Sequence, residues 1–283
     1  MFTGLFVFVV GLVIGSFINA FQYRAQKGMS IKGRSLCPNC GHQLSWYDLI
    51  PLLSWVILSG RCRYCRKSIS VQYPLIEVVT GLLFVAVGLK SGLIREINDY
   101  LFLGLVDINF VGLLVSKISL LFLLLVVASL IIIALHDAKT GYIISAVAYF
   151  GTLAAFLYLL FSYQGVWSLA NLTFYLLPYI FSALGLAFFF FSITFFSKEK
   201  WMGAGDAEIA LLMGIFLGWP KIIIALYAAL FVGIIYAAIK LITKKATLKS
   251  EIPFGPFLII GTFVSYFFAD NLAVYYAKIF LGL

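Results

Sequence analysis

Charge is what this sequence has least of. Only 11% of its 283 residues are Asp, Glu, Lys or Arg, and just eleven are acidic. A soluble domain needs a charged surface to stay dissolved, so the scarcity excludes one. Sustained alternation of apolar and polar residues is also missing, which argues against a transmembrane β-barrel. No low-complexity tract or internal repeat is visible. The first segment, "MFTGLFVFVVGLVIGSFINAF", lacks a basic leading region and a small-x-small cleavage site. It therefore reads as a retained span rather than a secretory signal. Cysteine is rare and confined, with all four residues between positions 37 and 65.

What remains is overwhelmingly apolar. Hydrophobic residues make up 63% of the chain, 28 of them Phe, and the mean hydropathy is +1.08. The fold class is therefore an all-α polytopic membrane protein. Eight apolar segments are expected, at roughly 2–23, 73–89, 118–136, 142–161, 169–196, 207–217, 222–242 and 254–276. The sixth is short and reads as a half-span or a tilted helix buried in protein. The stretch "YLFLGLVDINFVGLLV" within 90–117 reads as a re-entrant or interfacial element. Three regions are expected: a first helix at 1–23, a cytoplasmic loop domain at 24–72, and the remaining helices at 73–283.

The basic residues orient these spans. With the N-terminus outside, fifteen of the twenty Lys and Arg residues fall in loops on the cytoplasmic side. That bias follows the positive-inside rule in an inner (plasma) membrane. The net charge of +9 then reflects topology and anionic lipid, and no nucleic-acid partner is expected.

The cysteines form two C-x2-C pairs, "CPNC" (Cys37, Cys40) and "CRYC" (Cys62, Cys65). Two thiolates at that spacing can take adjacent corners of a tetrahedron, and two pairs complete a four-sulfur site. Such a site is closed, so its zinc is structural. A redox dithiol or a disulfide fits a cytoplasmic loop less well. His42 reads as a surface or outer residue rather than a ligand.

Seven of the eleven acids, Asp48 among them, lie in loops or at interfaces, where solvation accounts for them. Glu77, Asp137, Asp206 and Glu208 abut or enter apolar spans, where an ionisable residue points to function. Asp137 ends the third span and Asp206 begins the sixth, both at the cytoplasmic boundary. Two carboxylates at one depth suit an aspartic protease, with one activating water and the other protonating the leaving group. Gly203 and Gly205 offer clearance for a substrate backbone. Helix capping by the aspartates fits the same facts, with Asp206 as an N-cap. So does a proton relay in a transporter. Glu77 reads as a supporting residue that pairs with an arginine of the cysteine loop or tunes the aspartates. Glu208 lies on a different helix face from Asp206, and His136 faces away from the pair.

Four motifs in order then carry a resemblance. They are "GSFINAFQYR" (15–24), the cysteine segment with the second span (36–81), "GAGD" (203–206) and "IPFGPFLIIG" (252–261). Together they resemble the type IV prepilin leader peptidases, a family of GxGD intramembrane aspartic proteases. The resemblance implies that Asp137 and Asp206 are the catalytic pair. It also implies cleavage of prepilin or pseudopilin leaders after a glycine at the cytoplasmic face. Many members with the cysteine domain also N-methylate the new amino terminus with S-adenosylmethionine. No pocket for that cofactor is legible. Two positions depart from the family pattern. Ile143-Ile144 stands where an Ile-Pro pair is usual, and Glu208 stands where a lysine is common.

Overall fold

The computed structural model describes residues 2–30, 33–102, 110–163, 168–200, 202–243 and 252–276. Side chains at 99–102, 110, 169 and 273–276 are outside this description. All extended secondary structure among the described residues is helical. The helices are α1 (Phe2–Gln26), α2 (Leu53–Ile57), α3 (Gln72–Lys90), α4 (Leu93–Phe102), α5 (Phe110–Thr140), α6 (Ser145–Ser162), α7 (Leu169–Ser197), α8 (Ala204–Leu217), α9 (Lys221–Ile242) and α10 (Gly255–Tyr276). Seven of them are long and apolar enough to cross a membrane.

All eight expected apolar segments are present as helices, and the exception in length is α8. Its 14 residues span about 21 Å at 1.5 Å per residue, short of a hydrocarbon core of about 30 Å. Burial explains how so short a helix survives. Ile209, Ala210, Leu212 and Met213 are fully enclosed, and α8 packs against α6, α7, α9 and α10. Protein rather than lipid is its solvent.

The third span begins earlier than expected, at Phe110 rather than near residue 118. Part of the supposed 90–117 loop is α4, an amphipathic helix packed on α1 and α3. Its Leu93, Ile94 and Ile97 are buried, while Arg95 is exposed. Residues 103–109 of the expected re-entrant stretch lie outside the described residues. After α5 the chain breaks at Gly141, whose φ is +69° and whose N–H donates to Asp137 O at 2.8 Å. Glycine adopts this left-handed conformation readily. The break therefore forms without the proline that Ile144 replaces.

By their contacts the residues group into two units, Met1–Leu120 and Leu121–Leu283. In the first, α1 and α3 meet along small residues: a Cβ on Gly11 would lie 2.6 Å from the Gly81 Cα. In the second, α7 and α8 meet so closely that a Cβ on Gly214 would overlap the Ala183 backbone. Lipid offers little hydrophobic drive for helices to associate, so such close approach supplies dispersion contacts instead. Gly214→Ala is expected to cost about 1–3 kcal/mol through overpacking. A lowered melting temperature of purified protein in detergent, with unchanged helix content, is the expected reading.

Candidate active site and metal centre

The cysteine loop is built from one turn used twice. In the first copy the Cys37 N–H donates to His42 O at 2.9 Å and the Gly41 N–H to Cys37 O at 2.9 Å. In the second, the Cys62 N–H donates to Lys67 O at 2.9 Å and the Arg66 N–H to Cys62 O at 3.0 Å. An antiparallel bridge closes each copy, Leu36 with Gln43 and Arg61 with Ser68. Gly41 and Arg66 hold equivalent positions, with φ of +71° and +58°. This repeat is not visible in the sequence. Only the two cysteines and one serine (Ser45, Ser70) recur at matching positions, so the repeat lives in backbone hydrogen bonds.

The two turns bring all four sulfurs within 4.8 Å of one another, with Cys37 Sγ 4.0 Å from Cys65 Sγ. None is in a disulfide. A tetrahedral zinc with Zn–S bonds of about 2.3 Å sets its sulfurs about 3.8 Å apart, so the set fits such an ion after a slight contraction. The electrostatics favour a cation. Burial raises the Cys37 thiol, but the backbone N–H groups of Cys40 and Asn39 outweigh it and draw it down to about 7. At Cys65 the Lys67 N–H lowers the thiol, while burial and three neighbouring sulfurs push it up to about 11. One thiolate forms easily and the last does not, unless a cation sits among them.

Side chains around the loop brace it. The Arg63 Nε donates to Asp48 Oδ1 at 2.8 Å, and the Asp48 side chain is only 3% exposed. Its Oδ2 accepts from the Ser45 N–H and the Tyr64 hydroxyl, both at 3.3 Å. Asp48 is therefore a buried, paired acid, not the solvated one expected. The difference arises because the fold brings Arg63 and Tyr64 back across the loop. His42 packs on Tyr64 with ring centroids 3.6 Å apart and the planes tilted by 33°, and it is not in the metal cluster. Glu77, on α3, accepts the Leu52 N–H at 2.7 Å. Of the two roles expected for it, pairing with an arginine is not found among the described residues; a backbone amide takes that place.

In the second unit Asp137 lies in the last turn of α5 and Asp206 in the first turn of α8. Both are buried, at 4% and 7% exposure, and Asp206 lies near enough to Asp137 to feel its charge. The N-cap of α8 is Gly203, not Asp206. The Gly203 N–H does face the Asp206 carboxylate, as in half of a capping box. Capping alone does not call for a second buried carboxylate alongside.

The structure adds a residue that carried no assigned role. Gly255 begins α10, and its N–H faces the Asp137 carboxylate. A Cβ on Gly255 would lie 2.5 Å from Asp137 Oδ2 and 2.9 Å from Ile209 Cδ1. That Oδ2 is buried and has no hydrogen-bond donor among the described residues. The signal for Gly255 was the glycine of "PFGP". The two GxGD glycines differ from each other. A Cβ on Gly203 would meet open space, whereas one on Gly205 would lie 2.7 Å from Ile143 Cδ1. Glu208 turns toward α6, where its Oε1 accepts the Tyr149 hydroxyl at 3.2 Å. Its Oε2 is buried without a donor. His136 is buried beside Asp137 in sequence.

Residues 9–91 match the bacterial peptidase A24 N-terminal domain, and residues 123–238 match the type IV leader peptidase family. The second match contains both aspartates. The chain belongs to the type IV leader peptidase family. It is 27% identical over 284 residues to a prepilin leader peptidase/N-methyltransferase of Bacillus subtilis, covering 98% of each chain. A protein of the same name from Aeromonas salmonicida is 28% identical over 306 residues, covering 97% of this chain and 94% of that one. One from Myxococcus xanthus is 56% identical over 82 residues, 29% of this chain and 24% of the other. No solved structure matches. This leader peptidase family member thus carries, within its peptidase segment, the one described pair of buried aspartates.

Proposed function

We propose that the protein cleaves the leaders of type IV prepilins or pseudopilins after a glycine, and N-methylates the new amino terminus with S-adenosylmethionine. The observation that carries the reading is the buried pair Asp137 and Asp206, brought near each other by a helix end and a helix start. Two close carboxyl groups shielded from bulk water hold one proton between them. The ionised member takes a proton from water, and the resulting hydroxide adds to the glycine's own carbonyl carbon. The protonated member then gives its proton to the departing amide nitrogen. Asp137 Oδ2, buried and without a donor, has lone pairs to offer that water. The acid and base roles are exchangeable between the two.

The backbone at Gly203 positions the scissile segment, and Gly205 supports it indirectly. At Gly203 the space is open. At Gly205 Ile143 already fills it, so that glycine acts by letting α8 close on the α5–α6 connection. The four cysteines hold one structural zinc, which supplies folding energy to the loop and no open coordination position. The inner-membrane orientation set by the basic loops places the aspartates and the zinc loop at the cytoplasmic face. There the leader's charges stay in water while its apolar helix stays in lipid.

Mass spectrometry of a prepilin's amino terminus tests both activities at once. Purified protein with S-adenosylmethionine should yield a product cut after the leader glycine and carrying one added methyl group. An uncut prepilin would reject the peptidase reading, and a cut but unmethylated one the methyltransferase reading.

A further inference from the structure

Methyl transfer requires a pocket for S-adenosylmethionine, and no motif in the sequence supplies one. Among the described residues the only β-structure is two isolated bridges, so no strand–helix–strand unit is available to hold a nucleoside. Helix ends and loops must do it. A cavity of about 590 Å³ in the second unit is walled by Leu177, Phe181, Leu186, Phe189 and Ile223, with Ser182 among few polar groups. Such walls leave a zwitterionic, ribose-bearing ligand without partners.

A second cavity, of about 990 Å³, lies wholly within the Met1–Leu120 unit, between the ends of α1 and α3 and the cysteine loop. Its size is at the upper end of the range for small-molecule sites, about 300–1,000 Å³. Its walls include the aromatic rings of Phe17, Trp55 and Tyr73, the guanidinium of Arg34, and two carboxylates, Asp48 and Glu77. Those are the group types that an adenine ring, a carboxylate and a sulfonium cation each need.

The carboxylates are not equivalent. Asp48 is already neutralised by Arg63. Glu77, 7% exposed, accepts only neutral donors: the Leu52 N–H at 2.7 Å and the Ser16 hydroxyl. No Lys or Arg pairs with it among the described residues. A buried carboxylate without a counter-charge is costly, and a cationic ligand relieves the cost. We propose that this cavity binds S-adenosylmethionine, with Glu77 as counter-charge to the sulfonium and Arg34 serving the methionyl carboxylate. The proposal rests on the methyltransferase reading above.

Ultraviolet cross-linking of methyl-labelled S-adenosylmethionine to the full-length, metal-loaded protein tests the location. The label is expected in peptides from residues 13–77, and label confined to 121–283 overturns the assignment. Equilibrium dialysis then tests Glu77. Glu77→Gln keeps an acceptor for the Leu52 N–H while removing the charge. Affinity for S-adenosylmethionine should fall about tenfold, the usual scale for a lost charge-assisted contact. Affinity for the uncharged thioether S-adenosylhomocysteine should change far less. Equal losses for both ligands mean a purely structural Glu77 and sink its assigned role. The product mass separates the two levels of failure. A methylated product with label elsewhere rejects the cavity alone, whereas wild-type protein that never methylates rejects the methyltransferase reading and the cavity with it.

Discussion

Asp137→Asn and Asp206→Asn are each expected to lower leader cleavage by about 10³-fold or more, because each removes one half of an acid–base pair. The substitution is chosen for what it preserves. Asparagine has nearly the same shape as aspartate and serves equally well at helix N-termini. It can still accept from the Gly203 N–H that faces Asp206. A capping role therefore predicts normal cleavage in Asp206→Asn, and a catalytic role predicts almost none. Asp137 sits in the last turn of α5, where a negative charge opposes the helix dipole. Neutralising it should leave the fold as stable or more so. Initial rates of cleavage of a purified prepilin, with melting temperature as the control for folding, measure both. Cleavage within a few-fold of wild type in either variant would end the dyad reading.

The second large effect is expected from the metal. Binding of structural zinc to four thiolates is worth about 10–16 kcal/mol in small domains, more than such a loop can raise from apolar burial. Little apolar side chain is buried here. Trp46, Leu53, Val56 and Ile57 are all exposed, and the bracing comes from Asp48, Arg63 and a pair of turns. Cys62→Ser, or treatment with a strong chelator, should take bound zinc from about one ion per chain to near none. The loop should then become sensitive to protease. Cleavage by the Asp137–Asp206 pair, which lies in the other unit, should persist. Elemental analysis alongside limited proteolysis reads both outcomes, and an undiminished zinc content in Cys62→Ser would remove these cysteines as ligands.

Much of this was legible in the chain because its physics is local. Each long apolar run has to become a helix, since an unpaired backbone group in lipid has no water to turn to. That constraint located all eight apolar helices. The C-x2-C pairs likewise announce themselves, because a metal needs ligands within a few residues of each other. Boundaries were less legible. The α5 helix begins at Phe110, and Ser116 lies buried within it, its hydroxyl donating to Gly112 O at 3.0 Å. Such polar residues look like loop in a hydropathy profile yet sit comfortably in a helix.

What the sequence by itself determined is the class of protein, the spans, the two acids and the four sulfurs, since each depends on residue type and short-range spacing. Tertiary structure alone decided which partner each group has. Gly255 reaches Asp137 across more than a hundred residues of chain. Asp48 finds Arg63, Glu77 finds the Leu52 amide rather than an arginine, and Glu208 finds Tyr149. Ile143, not a substrate, fills the space beside Gly205. Such pairings follow from how helices cross, and crossing is set by small residues such as Gly214 whose role shows only when the facing backbone is in place. The physical reason is distance. Spacing along the chain controls what one helix can present, and packing between helices controls what it meets.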